Sequence, residues 1–221
     1  MILEANLKKS TLALSALTLA LAAGLSACGG GSSSYTVGGV VTGLEFPGLV
    51  LSNNGEDLAV AEAGYDEVKD ANGKVIGRTP KNVEYAFRNQ VDYGDTYNVT
   101  VKTAPPHQIC AQNGGNTDTA GRLSVINAVI TCVLVSNQIS GTVTGLTAGE
   151  LVLTNGSEGG KITVPANATG FIFEQKVTYN QTFGITVLTQ PTGLTCTVSN
   201  GVGIMGDDPV TTVAVACSPN S

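Results

Sequence analysis

The chain contains one pattern of residues twice, in the same order, so whatever fold one stretch adopts the other must adopt too. Val37-Gly-Gly-Val-Val-Thr-Gly-Leu44 matches Ile139-Ser-Gly-Thr-Val-Thr-Gly-Leu146, and Leu49-Val-Leu-Ser-Asn53 matches Leu151-Val-Leu-Thr-Asn155, both at an offset of 102. Beyond that the offset becomes 86. Tyr85-Ala-Phe87 falls on Phe171-Ile-Phe173, Tyr97-Asn-Val-Thr-Val101 on Phe183-Gly-Ile-Thr-Val187, and Cys110 on Cys196. Cys132 falls on Cys217 at 85. The first copy therefore holds 16 extra residues between Asn53 and Tyr85, and one more between Cys110 and Cys132.

The matched segments alternate with period 2, as half-buried strands do. Phe183, Ile185 and Val187 share one face, with Tyr97, Val99 and Val101 their counterparts; Ala128, Ile130 and Cys132 match Val213, Val215 and Cys217. Turn signals interrupt at short intervals, at Asn53-Asn54-Gly55, Tyr93-Gly94-Asp95, Asn155-Gly156 and Asn200-Gly201. Composition agrees: 28 Gly, only 13% charged residues and no Trp suit short strands joined by many turns. About seven short strands per copy predict two β-sandwiches, over 35–134 and 138–218. The Gly-x-Val-x-Gly opening, the Phe-x-Phe strand and the Tyr-x-Val-x-Val strand resemble the immunoglobulin-like and transthyretin-like repeats of bacterial surface lipoproteins. The fold class expected is all-β, two tandem immunoglobulin-like sandwiches behind a lipoprotein signal peptide. The resemblance is specific for fold and says little of function, because sandwiches host many tasks.

The address lies in the first residues. Lys8 and Lys9 form a basic start, and Thr11 to Leu25 follow without charge. That run suits a signal-peptide core and falls short of the roughly 20 residues needed to span a bilayer. It ends Leu25-Ser26-Ala27-Cys28, which resembles the bacterial lipobox. The resemblance implies a signal peptide over 1–27, acyl chains (palmitate among them) on Cys28, and a lipid-anchored mature protein. Several acyl chains anchor stably where one does not. Gly29 stands where the inner-membrane retention signal would place Asp, so the expected destination is the outer membrane, periplasmic or surface-exposed. Residues 29–34, GGGSSS, read as a flexible tether, with 28–34 forming the linker to the first sandwich.

With Cys28 assigned to lipid, Cys110, Cys132, Cys196 and Cys217 remain. Spacing alone permits three pairings. Duplicated domains that fold independently should each close their own bridge, which selects Cys110–Cys132 and Cys196–Cys217.

Little else carries chemistry. The net charge of −6 argues against nucleic acid, whose phosphates need clustered Lys and Arg. His107 is the only His, and the second copy has Gly193 in its place, so it reads as a surface-turn residue. Asp207-Asp208 lacks the rest of a calcium loop and reads as a solvated turn. No cofactor or metal is expected. The 56–84 insertion holds interleaved acids and bases and looks like a hairpin closed near Asn72-Gly73. Loops on a rigid scaffold often carry recognition, so Glu67, Lys69, Asp70, Asn72 and Lys74 are the candidate partner-binding residues. The function expected is a non-enzymatic binding or spacer module at the envelope, meeting a protein or glycan. The alternatives are a subunit of a surface assembly or adhesin that pairs through edge strands, and a solute-binding protein or enzyme with a site at the domain junction, 133–138.

Overall fold

Strands whose alternate residues are apolar can bury only one face, and two such sheets must stack to hide it. A computed structural model, describing residues 33–156 and 159–220, shows how this chain does so. The signal peptide, Cys28 and residues 29–32 of the tether lie outside the described residues.

The first domain runs β1 (Ser34–Thr42), β2 (Leu49–Asn53), β3 (Glu56–Val60), β4 (Tyr65–Lys69), β5 (Val75–Pro80), β6 (Val83–Asp92), β7 (Thr96–Thr103), β8 (Gln108–Gln112), β9 (Thr117–Thr119) and β10 (Ala128–Leu134). One sheet has the order β6-β1-β10-β8 and the other β3-β2-β7-β9, while β4 and β5 pair only with each other. A short strand, β11 (Ser136–Asn137), leads into the second domain. That domain runs β12 (Ile139–Thr144), β13 (Glu150–Asn155), β14 (Lys161–Pro165), β15 (Gly170–Ile172), β16 (Val177–Thr178), β17 (Thr182–Thr189), β18 (Leu194–Ser199), β19 (Val202–Ile204) and β20 (Val210–Pro219). Its sheets, β15-β12-β20-β18 and β14-β13-β17-β19, repeat the first domain's order strand for strand.

Each sandwich thus has eight strands in two sheets, one more than the alternation suggests. The extra strand is β9 or β19, each three residues long and too short to show a period. The 56–84 insertion also proves narrower than its charges imply. Glu56–Val60 is a sheet strand, paired with β2 and burying Val60, and Val83 and Glu84 begin β6. Acidic residues on this edge strand made it look like loop.

Each sandwich has its own core. Val41, Leu51, Phe87, Val99 and Ile130 centre the first; Val143, Leu153, Phe173, Ile185 and Val215 occupy the matching places in the second. Tyr85 meets Phe87 edge-on at 6.0 Å, as Phe171 meets Phe173 at 6.0 Å. The buried Asn53 accepts from the Asn98 N–H at 3.0 Å, and Asn155 from the Gly184 N–H at 2.8 Å. In both domains the first strand lies parallel to the last, β1 beside β10 and β12 beside β20. A Cβ on Gly39 would lie 1.9 Å from the Ala128 carbonyl oxygen, and one on Gly141 2.2 Å from that of Val213. The Gly-x-Val-x-Gly opening exists to let these backbones approach.

Disulfides join Cys110 to Cys132 and Cys196 to Cys217. Both link residues directly opposite each other on antiparallel strands, β8 with β10 and β18 with β20. In the chain-entropy model, closing a loop of this size contributes roughly 3 kcal/mol.

Candidate functional site

Apart from the β4–β5 hairpin, the two copies differ where they meet. Buried Gln108, at the start of β8, holds the loop after β1: its side-chain oxygen accepts the N–H groups of Glu45 (2.8 Å) and Phe46 (3.1 Å), and its Nε2 donates to the Gly43 carbonyl (2.7 Å). This fixes Phe46 at the end of domain 1. Beside it His107 adopts a left-handed backbone, φ 62°, a conformation costing a side-chain-bearing residue about 1 kcal/mol. Its ring is thereby aimed at domain 2.

There it stacks on Tyr179, centroids 4.0 Å apart and planes 11° from parallel. Phe46 meets both edge-on, at 5.1 Å from His107 and 6.0 Å from Tyr179. The His107 Nδ1 lies 2.9 and 2.8 Å from the two carboxylate oxygens of Asp207. Main chain continues the contact. The Val135 N–H donates to the His107 carbonyl (2.9 Å), and the Tyr179 N–H to the Val135 carbonyl (2.8 Å). Asn137 Nδ2 donates to the Asp207 carbonyl at 2.7 Å, and β11 pairs with β16. Aromatic contacts of this geometry contribute about 0.5–1.5 kcal/mol each. The half-exposed imidazole–carboxylate hydrogen bond contributes about 1 kcal/mol. The rings therefore carry the joint, and together they outweigh the backbone strain.

His107 is thus an interdomain residue, where the sequence suggests a surface turn. Phe46, Tyr179 and Asp207 join it across some sixty to a hundred residues of chain, which no local pattern announces. One signal was available. Copy 2 carries Ala148, Gly193 and Leu194 at the places of Phe46, His107 and Gln108, and Gly193 has φ 78°. Bulky side chains replace small or plain ones only in the copy whose end abuts another domain. The opposite end repeats as well: the Tyr93 N–H donates to the Ser33 carbonyl at 2.8 Å, as Tyr179 does to Val135, but Tyr93 is 68% exposed.

The hairpin residues stand elsewhere. Glu67, Lys69, Asp70, Asn72 and Lys74 cluster at the tip of β4–β5, which no sheet covers. Asp70 is a turn former: its Oδ1 accepts the N–H groups of Asn72 (2.9 Å) and Lys74 (3.0 Å). Glu67 and Lys69 pair with each other at 3.2 Å. At the root, the Tyr65 hydroxyl donates to the Glu45 carbonyl at 3.0 Å, which sets the hairpin beside the joint.

Among the described residues, no three His, Cys, Asp or Glu side chains converge to hold a metal. The His107 ring has Asp207 as its only side-chain hydrogen-bond partner among the described residues. An open cleft of about 610 Å³ lies between β14 and β15, with Lys161 and Glu174 its titratable lining. Among the described residues no helix is long and apolar enough to cross a membrane.

No protein-family model matches the chain, and neither does any curated protein. Solved structures do. The chain is similar to the Bacillus anthracis TIE protein (13% identity, TM-score 0.40), over 82% of this chain and 34% of that one, so it spans about a third of that protein. It is similar to the major pilin protein T3.2 of Streptococcus pyogenes (10% identity, TM-score 0.26), over 86% of this chain and 99% of that one. The pilus adhesin SpaC of Lactobacillus rhamnosus GG matches at 12% identity and TM-score 0.32, over 84% of this chain and 31% of that one.

Proposed function

We propose that this chain is a non-enzymatic protein of the bacterial envelope, anchored through acyl chains on Cys28, whose two sandwiches act as a stiff spacer. The joint carries this reading. A flexible pair of beads needs no aromatic residues between its domains. Here Phe46, His107 and Gln108 take the places of Ala148, Gly193 and Leu194, and one of them holds a strained backbone to reach across. Such strain persists only where the surroundings over-determine it. A spacer of this kind lifts domain 2 clear of the headgroups and presents it in a defined direction. The envelope address rests on the Leu25-Ser26-Ala27-Cys28 run and on Gly29 after it. The protein's partner on this reading is the membrane, with a protein or glycan met at the exposed surface.

Small-angle scattering of the purified protein tests the stiffness. The native chain should fit one rigid elongated shape. Phe46→Ala combined with His107→Gly should broaden the distance distribution and leave both domains' melting unchanged. A native profile that already requires many domain orientations would overturn the spacer reading.

A second reading, a subunit that assembles through edge strands, is favoured by one feature of domain 2: the outermost strand, β19.

A further inference from the structure

We infer that β19 is a homophilic docking edge, through which domain 2 of one copy pairs antiparallel with β19 of a second copy on a facing surface. β19 closes the sheet β14-β13-β17-β19. Its flanking residues bond inward: the Ile185 N–H donates to the Gly201 carbonyl (2.7 Å), and the Met205 N–H to the Gln181 carbonyl (2.9 Å). Antiparallel ladders alternate, so Val202 and Ile204 turn their N–H and C=O groups to the open side. Their side chains stand 79% and 65% exposed.

Domain 1 treats the same edge differently. Thr117 and Thr119 of β9 occupy the places of Val202 and Ile204, and Asp118 that of Gly203. Asp118 pairs with Arg122 at 3.1 Å. Charge on an edge strand is how proteins prevent strand-to-strand association. Domain 1 keeps that protection, and domain 2 has an apolar pair instead.

Charge also selects the occupant. The chain is acidic, net −6, so two copies repel over most of their surface. Residues 177–206 contain no Asp, Glu, Lys, Arg or His, whereas the matching 92–121 contain Asp92, Asp95, Lys102, His107 and Asp118. The β17–β19 side of domain 2 is where one acidic copy can approach another without that penalty. An antiparallel pairing centred on Gly203 is self-complementary, as a two-fold contact must be. It sets Val202 of each copy opposite Ile204 of the other. Their side chains then form one apolar cluster, while Gly203 turns to the inner face, where a Cβ would lie 2.7 Å from the Phe183 ring.

Direction follows from topology. β1 starts at the tether end of domain 1, β10 finishes at the joint, and β12 starts there, so strands run along the length of each domain. Antiparallel pairing therefore points the two molecules in opposite directions, with their N-terminal anchors at opposite ends. This last step rests on the anchored-spacer reading; the pairing itself does not. A contact this short is weak, and many copies on two surfaces make it effective.

Sedimentation velocity of the purified full-length protein, from ~10 μM to ~1 mM, tests the pairing. The native chain should form a reversible dimer whose share grows with loading and with added salt, which screens acidic repulsion. Ile204→Lys should remain monomeric. Val202→Thr with Ile204→Thr, which reproduces the first domain's edge, should weaken dimerisation at least tenfold while domain 2 melts as before. A native chain monomeric at ~1 mM would overturn the inference. So would variants that dimerise like the native chain, or a dimer that salt dissolves. Vesicles carrying the anchored native protein should cluster, and those carrying Ile204→Lys should not. A solution dimer without vesicle clustering would keep the edge contact and overturn the facing-surface arrangement, whereas native protein that fails to attach to vesicles through Cys28 would overturn the anchored reading instead.

Discussion

Tyr85 and Tyr97 stand in domain 1 where Phe171 and Phe183 stand in domain 2, and two hydroxyl groups make the domains respond differently to alkali. Tyr85 donates to the Ala128 carbonyl at 2.7 Å from within the core. Burial pushes its pKa from 10.0 up to about 12. Burial also raises Tyr97, with the Asp118 charge adding to the effect. A raised pKa means that the folded state holds the proton more tightly than the unfolded chain. The stability linked to Tyr85 is therefore complete below about pH 10 and is lost as pH rises through about 12, and Tyr97 acts in the same direction. The Tyr85 share is on the order of 2 kcal/mol. Thermal unfolding followed across pH 9–12 should show domain 1 melting earlier as pH rises, with domain 2 little changed. Tyr85→Phe should flatten that dependence, although it lowers stability at neutral pH by removing a buried hydrogen bond to the Ala128 carbonyl. Equal alkaline loss in both domains would contradict the assignment.

At the scale of elements, β4 and β5 stand apart from both sheets. A lone two-stranded hairpin is marginal in water, and this one is held by its Asp70 turn, by Tyr65 on Glu45, and by the Lys81 N–H donating to the Gly64 carbonyl at 2.9 Å. Domain 2 makes the equivalent link from β14 to β15 with Ala166-Asn167-Ala168-Thr169 alone. Replacing 61–82 with that short connection should leave domain 1 folded, with a melting temperature lower by a few degrees at most. Collapse of domain 1 would show that the hairpin supports the core. β3 must be kept, because Val60 is buried beneath the β2 pairing. An excision beginning at Glu56 would remove a sheet strand.

For the molecule as a whole, the anchor and the joint set where domain 2 sits. Cys28→Ala removes the sulfur that acyl transfer requires, so the variant should leave the membrane fraction as soluble protein or accumulate as uncleaved precursor. Unchanged membrane fractionation together with unchanged acyl labelling would refute the anchor. The joint should survive in either case, because its contacts run between Phe46, His107, Tyr179 and Asp207 and involve nothing near Cys28.

Read alone, the sequence determined the parts. Duplication is written in residue order, and alternation such as Phe183-Gly-Ile-Thr-Val187 names the buried face, because side-chain direction in a strand follows from neighbours two apart. The disulfide pairing followed from the same repeat. Tertiary structure alone decided what the parts do to each other. β9 and β19 are too short to carry a period, and Glu56 and Asp57 disguise an edge strand as loop. His107 and Asp207 lie a hundred residues apart, and each reads as an isolated turn residue. Their meeting depends on how two finished sandwiches stack end to end, a contact between surfaces that exist only once both domains have folded.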